Sequence, residues 1–194
     1  MNRDKTVAIL RKVAIISATL SVIFISAVSV LQNNAGLHFF ARVVEAANVT
    51  LNDDPDDFAT VRSSNYTEFP DSTTHWALTT DADAGEVVSF TVYYHNTSGE
   101  VANNVITRIS VPGTAGTSVV ASGGVSADGA QAVNGQTTVN ISSSQSLTYI
   151  PGSTKWYPDQ TQTAVAFPQG QTGDEFVTGQ GVNIGDIAPG WPTQ

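Results

Sequence analysis

The chain has no cysteine, and beyond residue 47 it has almost no basic side chain. Without thiols there is no disulfide framework, thiolate metal site or cysteine nucleophile, so an apolar core has to hold the fold. Arg3, Lys5, Arg11, Lys12 and Arg42 all precede residue 48; from Asn48 onward 15 acids face only Arg62, Arg108 and Lys155, a net charge of about -12. A surface of that sign repels phosphate backbones and excludes nucleic acid as a partner. Helical periodicity is also missing, since no eleven-residue window after residue 48 carries it.

What is present begins with an address. The basic start "MNRDKTVAILRK" precedes an uncharged apolar run from Val13 to Leu31. That length suits a helix crossing a bilayer, and the excess of basic residues before it predicts an internal N-terminus with the remainder exported. Residues 1–47 therefore read as a signal peptide, with "VEAANVT" as the small-residue cleavage candidate, or as a retained membrane anchor. Both alternatives stay open.

Residues 48–83 form an acidic lead-in, with short strands predicted around Phe58–Val61 and Trp76–Leu78 and a turn at "DADAGE". In Val87–His95 the residues Val88, Phe90, Val92 and Tyr94 share one face, and Val87, Ser89, Thr91, Tyr93 and His95 the other. The polar "NTSGE" follows, with Gly99 available for positive φ, and then a second alternating run from Val101 to Val111 that ends at Pro112. These are two successive antiparallel strands, joined as a hairpin or as a crossing between two sheets. Further short strands are predicted at 117–121, 137–141, 146–150 and 154–157, separated by the Gly/Ser-rich "SGGVSADGAQAVNGQ" and by "PGS". Many short strands with frequent Gly and Pro turns predict an all-β fold, an immunoglobulin-like antiparallel β-sandwich, and 194 residues hold one such domain besides the leader.

Three blocks, "VVSFTVYYHNTSGEVANNVITRISVP", "LTYIPGSTKWY" and "GVNIGDIAPGW", resemble in that order the signature of a prokaryotic surface-repeat family known as domain of unknown function eleven. The wording of "YYHNTSGEVANNV" is similar to secreted surface proteins of uncultured, small-genome bacteria. The resemblance covers 84–194 and implies an immunoglobulin-like module of cell-wall, S-layer or adhesin-like proteins, with no catalytic residues. That family places another strand after "A-P-G", so the resemblance implies that the last strand is lacking here and that the sequence is a fragment. Gly113 to Ser146 stands out against the family pattern as an insertion-like stretch.

Candidate chemistry is sparse. Nucleophilic catalysis needs a Ser or Thr beside a base oriented by an acid; only His75 and His95 are available after the leader, and both read as solvent-facing. Paired carboxylates of a hydrolase are possible in any acidic β protein, and sequence spacing does not bring them together. Calcium needs several converging oxygens. "NDDPDDF" and "DADAGE" supply them, and Asp81, Asp83 and Glu86 are the metal candidates, against the plainer reading of solvated acidic loops. Lys155 is the single lysine available for a self-formed cross-link and reads better as an outward residue of an edge strand. Trp76, Trp156 and Trp191 with Tyr93, Tyr94, Tyr149 and Tyr157 form either a sugar-stacking surface or core filling. The expectation is thus an exported, non-catalytic structural or adhesive module without a cofactor, the alternative being a carbohydrate-binding module. Its partners would be the membrane, through an uncleaved leader, and other surface proteins or cell-wall polysaccharide.

Overall fold

The alternating runs of the sequence become strands of two sheets in the computed structural model, which describes residues 49–70, 74–158 and 163–190. These fall in the second of two units, Glu45–Gln194. The leader, the C-terminal Trp191 and the sites of their predicted roles lie outside the described residues. The smaller sheet pairs β1 (Val61–Asn65) antiparallel with β3 (Val88–Val92). The larger sheet has β2 (Thr79–Ala82), β6 (Val133–Gln145), β5 (Gly116–Ser126), β4 (Ala102–Ser110) and β7 (Val182–Ile187) in that spatial order. Within it β2 runs parallel to β6 and the other neighbours are antiparallel. The described residues are thus mostly strand and almost without helix, as the missing helical periodicity predicts.

The chain changes sheet at each of its first three connections, so Val87–His95 and Val101–Val111 are joined as a crossing and not as a hairpin. The apolar face predicted for β3 is the one it packs on the larger sheet, although residues of both its faces are half-buried. Val88 and Phe90 pack on Ala82, Val119, Val139 and Ile141, while Phe90 and Val92 pack on Val61, Ile109 and Ala121. Tyr94 joins a third cluster with Val49, Leu51, Ala102, Val105, Val125, Val182, Ile184 and Ile187. In β4 the alternation holds for Val105, Thr107 and Ile109 but breaks before them, where Ala102 is buried and Asn103 exposed. A register shift against β7 lies there, with Asn104 at φ 52°, a conformation that asparagine tolerates better than most residues. The bulge rephases the strand, which period-two reasoning alone misses.

The Gly/Ser-rich 113–146 is no insertion loop. It forms the two longest strands, β5 and β6, paired from Ser118↔Asn140 to Val125↔Val133 around a turn at 127–132. Three of its glycines, Gly123, Gly124 and Gly135, stand where side chains would collide. A Cβ on Gly123 would lie 2.5 Å from the Arg108 carbonyl oxygen, and one on Gly124 would meet the Val133 carbonyl oxygen. Gly135 sits under β1, where a Cβ would come within 3.0 Å of the Val61 nitrogen. Glycine in a strand marks close approach of backbone as often as a break. The strands predicted at 146–150 and 154–157 are absent; the chain turns at Ile150–Ser153, and the Trp156↔Val165 bridge is the ladder contact present. Pro151 offers no N–H to a ladder, and Gly152 at φ 73° turns the chain.

Candidate functional site

The lead-in folds back over the end of β3 and buries the polar face there. The Asn52 N–H donates to the His95 carbonyl (2.9 Å), and the Asn52 Oδ1 accepts from the His95 N–H (2.7 Å). Asp57 Oδ1 accepts from the Tyr93 hydroxyl at 2.8 Å and lies 2.7 Å from His95 Nδ1, while its Oδ2 accepts from the Asp54 N–H at 3.0 Å. Side-chain exposures of 2% for His95 and 5% for Asp57 make this a buried node and correct the solvent-facing reading of His95. Tyr93 and His95 do share a face, as period two predicts. That face is covered by residues 52–58, and nothing short of their partner Asp57 signals this in the sequence. Both Asp57 oxygens, the Tyr93 hydroxyl and His95 Nδ1 are spent within this node, as buried polar groups require.

Replacing Asp57 by alanine leaves Tyr93, His95 and the Asp54 N–H without their acceptor. The expected loss is about 2 kcal/mol in urea unfolding, from stranded buried donors. The phenol of Tyr93 is raised above its ordinary 10.0, first by burial and then by the Asp57 carboxylate that accepts from it. Because the folded state holds that proton more tightly than the unfolded chain, the contribution is intact below pH 10.0 and falls as the pH rises beyond it. Tyr93→Phe should therefore flatten the alkaline limb of the stability profile, which a melting series above that pH reads.

The three blocks that carry the family resemblance meet in space. Asn96, fully buried, donates through Nδ2 to the carbonyls of Glu100 (2.7 Å) and Ile187 (2.9 Å), and its Oδ1 accepts from the N–H (3.1 Å) and hydroxyl (2.7 Å) of Ser98. The Gly190 N–H returns to the Asn96 carbonyl at 3.0 Å, so "NTSG" is tied to "IAPG". The turn rests on this side chain; Gly99 does not take the positive φ open to it. Trp156 Nε1 donates to the Tyr94 hydroxyl at 2.7 Å and its ring stacks on Phe167, tying the middle block to the first. Within the middle block, Tyr149 (2.6 Å) and the Gly152 N–H (2.9 Å) both donate to Asp174, whose carboxyl is held below its ordinary 3.8, first by the phenol and then by the amide.

Along the outer edge of β2 lies an open groove of about 670 Å³, lined by Thr79, Asp81 and Asp83 of the strand and its turn, and walled by Glu68, Phe69 and His75. Its position is set by a buried hydroxyl knot, in which Ser63 of β1 lies 2.9 Å from Thr80 and 2.7 Å from Thr137. Phe69, 38% exposed, stacks on His75 with ring centres 3.8 Å apart. The calcium candidates all line this groove, and the carboxylates of two of them, Asp81 and Glu86, are engaged with amides. Glu86 Oε2 accepts from Asn65 Nδ2 (2.8 Å) and the Asp83 N–H (2.7 Å), and Asp81 Oδ1 accepts from Asn140 Nδ2 (3.0 Å). Among the described residues no three acidic, histidine or cysteine side chains converge as metal ligands would. Millimolar calcium is accordingly expected to leave the melting temperature unchanged, and a shift abolished by Asp81→Asn with Asp83→Asn would show otherwise. Trp76 and Trp156 are both half-buried, and Lys155 is exposed. No protein-family model, curated protein or solved structure matches the chain.

Proposed function

We propose that the chain is an exported, non-catalytic surface module, an immunoglobulin-like β-sandwich with a structural or adhesive role. The observation that carries this reading is how the chain spends its polar and aromatic chemistry. Asp57, His95, Tyr93, Asn96 and Trp156 are all committed to holding segments together: Asn96 and Trp156 tie to one another the blocks that resemble a surface-repeat family, and Asp57 ties the lead-in to the first of them. The basic and apolar leader supports export. A β1–β3 pair laid on a larger sheet, with the chain crossing repeatedly between them, supports the sandwich. A rigid body of this kind presents loops and edges to partners. Protease treatment of intact producing cells should remove residues of the 49–190 region; protection until lysis would contradict surface display.

The carbohydrate-binding reading keeps one observation in its favour, the exposed Phe69 stacked on His75 beside Asn65 and Asn140 in a groove. Trp156, by contrast, is spent on the core through Tyr94.

A further inference from the structure

We propose that the free edge of β3 is a docking site for an extended, uncharged segment of another surface protein, apolar at alternate positions, which adds to the smaller sheet as a strand. This rests on reading the chain as a non-catalytic surface module and names the kind of partner such a module would take.

The other sheet edges are closed. At β7 the side-chain amide of Gln171 imitates a neighbouring strand: its Nε2 donates to the Asn183 carbonyl (2.7 Å), and its Oε1 accepts from the Asn183 N–H (3.1 Å). Beside β2, the N–H groups of Ala77 and of Ser63 in β1 each donate to the other's carbonyl at 2.9 Å, and Asn65 Nδ2 reaches the Asp81 carbonyl. The same bonds close the outer side of β1.

β3 is left. Its odd-numbered residues turn to β1, since the Tyr93 N–H donates to the Thr60 carbonyl and the Tyr66 N–H to the Val87 carbonyl, both at 2.8 Å. Backbone groups alternate along a strand, so Val88, Phe90 and Val92 direct their N–H and C=O groups to the opposite edge. Among the described residues no backbone or side-chain group meets them, and β1 is the one strand beside β3. Further along, at Asn96, the same edge is met by the Gly190 N–H. Native edges are usually protected by charge, proline or a bulge, and "VSFTV" has none of these.

The side chains lack a neighbour on that side as well. Val88, Phe90 and Val92 face the core yet stay half-buried, whereas Val61, the β1 residue opposite Val92, is fully buried. Phe176 and Val177, in the 3-10 turn Asp174–Val177, are likewise half-buried against the cluster that Phe90 and Val92 join. That turn packs on β4 and makes no backbone bond to β3.

These surroundings select the guest. Inward residues of an added strand would stand beside Val88, Phe90 and Val92 and outward ones beside Ser89 and Thr91, so an alternation of apolar and hydroxyl side chains matches both faces. A whole second copy fits worse. β3 lies over β4 and β5, so the larger sheet runs on past it to β7, and a second folded body would bring its own larger sheet into the same place. A single extended segment does not. Strand addition draws its affinity from main-chain hydrogen bonds and its specificity from alternate side chains.

The full chain in detergent is titrated by fluorescence anisotropy with a fluorescein-labelled peptide of about eight residues alternating valine and threonine, a length that fills one strand, with a lysine at each end for solubility. Saturable binding is expected. An antiparallel guest turns its valine amides to β3, so a peptide N-methylated at each valine should not bind, and one N-methylated at each threonine should. Val88→Pro removes a donor on the free edge and none on the β1 side, at the first position of the strand, where proline is tolerated. It should weaken binding about tenfold or more, since a guest carbonyl is left unmet, while Asp128→Asn leaves binding unchanged. Melting curves separate lost binding from lost fold, and the methylated peptides decide the question if Val88→Pro melts early. No saturable binding, equal binding of the two methylated peptides, or indifference to Val88→Pro would overturn the proposal. Self-association that Val88→Pro abolishes, without peptide binding, would overturn it in favour of a second copy. Binding that begins only when residues 191–194 are deleted would overturn it in favour of the chain's own terminus. Failure here with protease-accessible chain on cells would leave the surface-module reading standing.

Discussion

Asn96→Asp is expected to destabilise the fold by about 3 kcal/mol, because a carboxylate replaces a buried donor against two carbonyl oxygens. In the native chain Asn96 Nδ2 satisfies the carbonyls of Glu100 and Ile187 at the same time, and its Oδ1 holds Ser98. The aspartate keeps the Ser98 bonds but loses both donated ones and adds a negative charge beside two acceptors. Asn96→Ala strands the same carbonyls without the charge and should cost less, about 2 kcal/mol. For a domain of this size the aspartate variant should melt about 10 °C lower. An aspartate variant melting with the parent would mean that the first and last blocks are not held together by this side chain.

The second large effect is expected in the glycine-rich hairpin. Gly124→Ala places a methyl group against the Val133 carbonyl oxygen of the paired strand, and Gly123→Ala places one 2.5 Å from that of Arg108. Neither obstacle is the end of a flexible side chain, so relief requires β5 to separate from β6 or β4. Forced overpacking of this kind costs about 1–3 kcal/mol or more at each site. Gly113→Ala is the matched control, since nothing lies within 4 Å of its added Cβ. Urea unfolding should order the three as Gly124 and Gly123 far below Gly113. Equal, small effects at all three would return 113–146 to a loop.

These two sites mark where sequence reasoning succeeded and where it stopped. The inward face of β3 was legible because Val88, Phe90 and Val92 alternate with polar residues over a whole strand, and the turn at "DADAGE" because Gly85 takes φ 91° there. The end of β4 near Pro112 was legible for the same local reasons. Of the β5–β6 hairpin the strands predicted at 117–121 and 137–141 are there, but their continuation toward the turn is not legible, because glycine needed for backbone approach has the same letter as glycine that breaks a strand. The bulge at Asn104 depends on its pairing with β7, far along the chain. The burial of His95 is not legible locally because it comes from a distant segment, residues 52–57, folding over a face that is mostly polar. The groove was legible as acidic residues, Asp81, Asp83 and Glu86, but not as a place. Its walls come from both sides of β2, and the edge exists only because β2 pairs with β6 in parallel, a contact across some sixty residues of chain.

Amide hydrogen exchange at Gly190 tests most directly whether this module is built by tying its blocks together through buried polar side chains. In the parent chain the Gly190 N–H, bonded to the Asn96 carbonyl at 3.0 Å, should exchange slowly, and in Asn96→Ala, which loses the bonds from Nδ2 to Glu100 and Ile187, it should exchange fast. Fast exchange at Gly190 in the parent chain, or exchange equally slow in the Asn96→Ala variant, would contradict this account.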